Sequence, residues 1–120
     1  APRPTIYVVD DDAAVRSALA FALDLEGYQV RTYASGEALL QSGSPTEPGC
    51  LVLDERLPGA SGMETLRLLR ERSVNLPAVF VTSHPKPSFR TEAALADAPI
   101  LEKPLLDEAL TATIEALLAR

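Results

Sequence analysis

The sequence predicts an α/β fold of five βα units, a doubly wound open sheet of parallel strands forming a single domain over residues 1–120. Three observations carry this. Apolar runs of strand length alternate along the chain with stretches of helical period. Three of the strand runs are almost continuously apolar, as parallel strands covered by helices on both faces require. The 120 residues hold five such units, whereas a closed eightfold βα barrel needs about twice that length.

The first strand reads Thr5-Ile6-Tyr7-Val8-Val9 and stops at Asp10-Asp11-Asp12. Val15, Ala18, Leu19, Ala22 and Leu25 then recur at helical spacing, with Asp12 placed to cap the helix and Gly27 to end it. Gln29 to Tyr33 forms a second strand, followed by Ser35 as a cap and a short helix through Leu39 and Leu40. Pro45, Pro48 and two glycines make Ser42 to Gly49 a loop. The third strand, Cys50 to Leu53, runs into Asp54, and Met63, Leu66 and Leu69 stripe the third helix. Pro77 introduces a fourth strand, Ala78 to Val81, which ends at Thr82. His84-Pro85-Lys86-Pro87 cannot lie in the middle of a helix, so a short fourth helix is expected around Thr91 to Ala96. Ile100-Leu101-Glu102 is a brief last strand ending at Lys103-Pro104, and Leu106, Ala109, Leu110, Thr113 and Leu117 stripe the final helix.

Composition narrows the function. Seventeen acids against eleven Lys plus Arg give a formal charge of -6, so this stretch by itself should not attract nucleic acid. Any DNA contact would fall to another domain. The single cysteine, Cys50, lies in an apolar run and reads as a buried reduced thiol. No apolar run approaches the roughly 18 residues of a membrane span, and Ala1-Pro2-Arg3-Pro4 lacks the apolar segment of a secretory signal, so a cytoplasmic location is expected. The chain starts without Met and its last helix runs to Arg120, which leaves room for an output domain beyond that residue.

The residues that carry chemistry all fall where strands end: Asp10, Asp11 and Asp12 after the first, Asp54 after the third, Thr82 after the fourth, Lys103 after the fifth. In an open parallel sheet, ligands bind outside these carboxyl ends, where the strand order reverses. In the flavodoxin-like order 2-1-3-4-5 the first and third strands flank that point, so the acidic cluster and Asp54 should converge. Carboxylates pressed together repel unless a cation intervenes. Mg²⁺ suits hard oxygen ligands and keeps waters that phosphoryl oxygens can replace. Beside it one aspartate can act as a nucleophile toward a phosphoryl group, while Lys103 and Thr82 hold the equatorial oxygens. Asp54 stands alone opposite the cluster and is the better nucleophile; Asp10 and Asp11 suit the metal, and capping accounts for Asp12.

The segments Val8-Val9-Asp10-Asp11-Asp12, Leu53-Asp54-Glu55-Arg56-Leu57-Pro58-Gly59-Ala60-Ser61-Gly62, Val81-Thr82-Ser83-His84 and Leu101-Glu102-Lys103-Pro104 resemble, in order and spacing, the signature of response-regulator receiver (CheY-like) domains. The resemblance covers nearly the whole chain and is closest to receivers of FixJ-like transcription regulators of two-component systems. It implies that Asp54 accepts phosphate from a sensor histidine kinase. It implies further that Asp11, Asp54 and the backbone carbonyl of Arg56 bind Mg²⁺, with Asp10 contributing through water, and that Thr82 and Lys103 contact the phosphoryl group. A cis Lys103-Pro104 bond is also expected, and the region of the fourth helix and fifth strand is the first place to look for a homodimer surface. Such a domain is a switch that assists its own phosphotransfer and dephosphorylation, not an enzyme.

Two features depart from the family. Ile100 stands where receivers carry Tyr or Phe, and the segment from Thr82 to Lys103, with Pro85, Pro87 and Pro99, is about one residue short, so a short or displaced fourth helix is expected. His84, the only histidine, reads as a loop residue beside the site that, with Arg56, tunes the access of water to an acyl phosphate. One alternative is a degenerate receiver used only for docking or dimerisation. Another is a haloacid-dehalogenase-like phosphatase using Asp10 as nucleophile. Against the phosphatase, Ala13 replaces that family's glycine and no acidic pair follows Lys103 on a further strand.

Overall fold

A computed structural model describes residues 4–43, 45, 48–105 and 108–120. Strands and helices alternate throughout: β1 (Thr5–Val9), α1 (Ala13–Leu25), β2 (Gln29–Tyr33), α2 (Gly36–Gln41), β3 (Gly49–Asp54), α3 (Gly62–Glu71), β4 (Ala78–Thr82), α4 (Pro87–Leu95), β5 (Ile100–Glu102) and α5 (Ala109–Leu118). All pairings are parallel, in the order β2-β1-β3-β4-β5, the doubly wound flavodoxin-like arrangement.

Successive side chains of a strand point to opposite faces, so an apolar run buried on both sides feeds two cores. Ile6 and Val8 of β1 join Cys50, Val52, Val79 and Val81 against Leu23 of α1 and Leu110, Ile114 and Leu117 of α5. Tyr7 and Val9 join Leu51, Leu53 and Phe80 on the other face, under Leu39 of α2, Met63, Leu66 and Leu69 of α3, and Phe89 and Ala93 of α4. The central strands β1, β3 and β4 are buried throughout. β2 forms one edge and exposes Gln29, Arg31 and Thr32, a polar border that discourages pairing with another chain.

Caps fall where the polar residues do. Asp12 accepts hydrogen bonds from the N–H groups of Ala14 (2.9 Å) and Val15 (3.3 Å), and Gly27 follows α1 at φ 91°. Ser35 accepts from Ala38 N–H at 3.0 Å, while Ser61 and Glu64 form a reciprocal capping box on α3.

Three helices differ from the expectation. In α1, Leu23 is the buried residue and Val15 and Leu19 are half-buried, whereas Ala18, Ala22 and Leu25 face outward. Such an alanine-rich helix is apolar on several sides, and only its seat on the sheet selects the inner one. Helix α4 begins at Pro87, four residues before the predicted start; as a first-turn residue the proline forgoes an N–H that has no intrahelical partner there. In α5, Ile114 is fully buried, Ala109 is exposed, and Leu106, assigned to the same stripe, lies outside the described residues.

Candidate functional site

Strand register builds the site. Val9 pairs with Leu53, so the next residues, Asp10 and Asp54, emerge side by side at the carboxyl ends of β1 and β3. Asp54 pairs with Val81 and Thr82 pairs with Glu102, which brings Thr82 and Lys103 to the same edge. Asp10 and Thr82 are almost fully buried and Asp54 is 7% exposed, while Asp11 is exposed.

The ammonium of Lys103 lies 3.2 Å from Asp10 Oδ2 and 3.4 Å from Asp54 Oδ2, bridging the two carboxylates. Its backbone N–H donates to the Thr82 carbonyl at 2.7 Å, and the Lys103-Pro104 bond is cis, as expected. Burial raises the Asp54 carboxyl above the ordinary aspartate value; Lys103 opposes this and the Asp10 charge adds to it. Burial works against the Lys103 charge, yet the charges of Asp54 and Asp10 outweigh it and hold the ammonium above its usual value. Pairing thus wins over burial at Lys103, while burial wins over pairing at Asp54.

Further hydrogen bonds orient the acids. Asp10 Oδ1 accepts from Asp12 N–H at 2.9 Å, and Asp54 Oδ1 accepts from Arg56 N–H at 3.3 Å. Arg16 of α1 donates through Nη1 to the Asp10 carbonyl at 2.7 Å, a contact the periodicity of the helix did not single out. Across the mouth, Arg56 Nη2 donates to the carbonyl of His84 at 3.1 Å, and His84 sits in the left-handed region at φ 48°. Arg56 thus hydrogen-bonds the backbone of His84.

The donor set fits a hard divalent cation. Ligand oxygens of Asp10, Asp11 and Asp54 all lie within 4.8 Å of one another, a concentration of oxyanions that one cation can serve. Thr82 Oγ1, buried in the same edge, has no hydrogen-bond partner among the described residues, so the hydroxyl is available to an incoming oxygen. Asp12 is engaged at the helix cap and stands apart from this group. Cys50 is a free thiol of β3 buried on the face covered by α1 and α5, its pKa pushed up to about 12, and takes no part in the site. Among the described residues the sheet ends at β5, so there is no further strand to carry the second acidic pair of a dehalogenase-like phosphatase.

A doubly wound sheet with paired acids, a lone aspartate, a threonine and a lysine at its carboxyl edge has the groups that can hold a divalent cation and a phosphoryl group together. The family model described as response regulator receiver domain matches residues 6–115, and the chain belongs to that family, whose members bind Mg²⁺ at such an acidic pocket. It is 40% identical over 116 residues to the transcriptional regulatory protein FixJ of Azorhizobium caulinodans, which covers 96% of this chain and 55% of that protein. The solved FixJ-N structure superposes with a TM-score of 0.85 at 35% identity, over 98% of this chain and 94% of that one. Full-length FixJ from B. japonicum gives a TM-score of 0.89 at 36% identity, over 99% and 59% respectively. The chain is thus a receiver domain of the FixJ-like kind, a signalling switch of two-component phosphorelay, and it spans about half the length of the relatives it matches. Among the described residues no helix is long and apolar enough to cross a membrane.

Proposed function

We propose that this chain is the phosphoacceptor part of a cytoplasmic transcription regulator, and that Asp54 takes a phosphoryl group from a sensor histidine kinase. The observation that carries this is the single cluster of Asp54, the Asp10-Asp11 pair and Lys103 at the carboxyl edge of the sheet. Asp11, Asp54 and the Arg56 carbonyl would hold Mg²⁺, with Asp10 contributing through water. The bound cation supplies positive charge that lets carboxylates and phosphoryl oxygens share one pocket.

The chain's own groups do the rest. A carboxylate oxygen of Asp54 forms the new bond to phosphorus while the phosphorus–nitrogen bond of the donor phosphohistidine breaks, and the leaving imidazole nitrogen takes a proton. Lys103, already paired with both acids, stays charged and turns toward the phosphoryl oxygens. The Thr82 hydroxyl, without a partner among the described residues, gains one in the phosphorylated state. Since Lys103 N–H is tied to the Thr82 carbonyl, a shift of Thr82 is passed to β5 and from there to α4. That face is the proposed homodimer surface, DNA being bound only by an output domain outside residues 1–120. In this reading the chain assists its own phosphotransfer and hydrolysis and acts on no separate substrate.

The test is intact mass spectrometry after incubation with acetyl phosphate, with and without Mg²⁺. One phosphoryl adduct is expected, dependent on Mg²⁺ and absent in Asp54→Asn. A chain that gains no adduct, and whose amide spectrum is also unmoved by beryllofluoride with Mg²⁺, is a docking module.

A further inference from the structure

We infer that Glu37, on α2 and outside the cluster, is a positioning residue that holds the loop carrying the Arg56 carbonyl in place for the cation; this rests on the reading of the site given above. The loop from Glu55 to Ser61 is fixed at both ends. Gly62 N–H donates to the Glu55 carbonyl at 3.1 Å, and a side chain at Gly62 would run into the Asp54 carbonyl oxygen, so α3 starts hard against the end of β3. Buried Leu57 fixes the loop on the inside. The outer part, Pro58-Gly59-Ala60, is held from α2: the Glu37 carboxylate accepts the Ala60 N–H through Oε2 at 2.8 Å.

Two glycines make that approach possible. Gly59 turns at φ 75°, and a methyl there would collide with the Glu37 carboxylate. Gly36, next to Glu37, packs on Thr65 of α3 so closely that a Cβ would meet the threonine hydroxyl. Thr65 in turn is fully buried and donates to the Ser61 carbonyl at 2.8 Å. Glu37 therefore stands on a seated element, with buried Leu39 two residues along, and reaches the outer part of the loop, where Pro58 and Gly59 are exposed. Its charge makes this a stronger bond than a neutral acceptor would give. Groups that orient a metal's ligands from outside typically govern affinity by roughly 10–100-fold. Glu37 acts four residues along the chain from Arg56, so a smaller effect is expected.

The experiment is a Mg²⁺ titration followed by amide NMR on the whole chain, with hydrogen exchange at Ala60, for the wild type, Glu37→Ala and Glu37→Gln. Glu37→Ala should speed exchange at Ala60 and weaken Mg²⁺ binding by about three- to tenfold. Glu37→Gln, which keeps an oxygen acceptor, should recover most of that affinity. Faster exchange at Ala60 with an unchanged Mg²⁺ Kd in Glu37→Ala overturns the inference, as does unchanged exchange. A wild-type chain that takes up no Mg²⁺ overturns the reading of the site and this inference together.

Discussion

The Lys103 ammonium lies 3.4 Å from Asp54 Oδ2 although 49 residues separate the two in sequence. The same nitrogen reaches Asp10 at 3.2 Å, so without a cation Lys103 is the positive charge bridging the two buried acids. Lys103→Met should lower stability in EDTA by about 2 kcal/mol; the cost of breaking a fully buried pair is higher, but Lys103 is 27% exposed. Mg²⁺ should restore more of the melting temperature in this variant than it adds to the wild type. Thermal melts with EDTA and with Mg²⁺ read both effects. Equal responses to Mg²⁺ would mean that cation and lysine do not serve the same charges.

Asp11 is exposed and has no role in packing, so Asp11→Asn should leave the EDTA melt within about 0.5 kcal/mol of wild type. As one of three clustered oxygen donors it should still matter to the cation, and Mg²⁺ affinity should fall about tenfold, or roughly 1.4 kcal/mol. Calorimetric titration gives the affinity directly. Unaltered binding would remove Asp11 from the ligand set.

The bridge from Arg56 to the His84 carbonyl spans the mouth of the site. Arg56→Ala should open the mouth to water and speed loss of the acyl phosphate by about threefold, a barrier change of roughly 0.7 kcal/mol. His84→Ala keeps the backbone carbonyl and should change the rate less. Following the decay of phosphorylated chain with time decides the matter; identical rates in wild type and Arg56→Ala would exclude a gate.

The Ala60 N–H, the largest influence on Glu37, holds its carboxyl below the ordinary value of 4.5. A depressed acid stabilises the fold fully above its ordinary value, and the contribution is lost as pH falls through the lower folded value. The melting-temperature advantage of wild type over Glu37→Gln should therefore be present at neutral pH and vanish in acid. An advantage that grows on acidification would have the wrong sign for this tether.

Much of the site was legible because a few polar residue types stand at the ends of strands: Asp10 after Val9, Asp54 after Leu53, Thr82 after Val81, and Lys103 after the short Ile100-Leu101-Glu102 strand. Parallel pairing then leaves these positions little freedom, since the register of β1 with β3 sets Asp10 beside Asp54. The inner face of α1 was not legible. Ala14, Ala18, Phe21, Ala22 and Leu25 are apolar yet exposed, and no periodicity separates them from Leu23. The start of α4 was missed because a proline excluded from mid-helix is well suited to a first turn. The contacts of Arg16, Arg56 and Glu37 end on backbone groups of their partners, which leave no trace in residue type. The Ser61-Glu64 spacing, by contrast, is a capping signature that marks the end of the loop after Asp54.

Which aspartate carries the phosphoryl group tests the central claim most directly. The acyl phosphate formed from acetyl phosphate and Mg²⁺ can be trapped by borohydride reduction, and the reduced residue located by tandem mass spectrometry of the digest. If the receiver works through Asp54, the reduced residue maps to position 54 and nowhere else. Reduction at position 10 would contradict this and point to phosphatase-like chemistry at the end of β1.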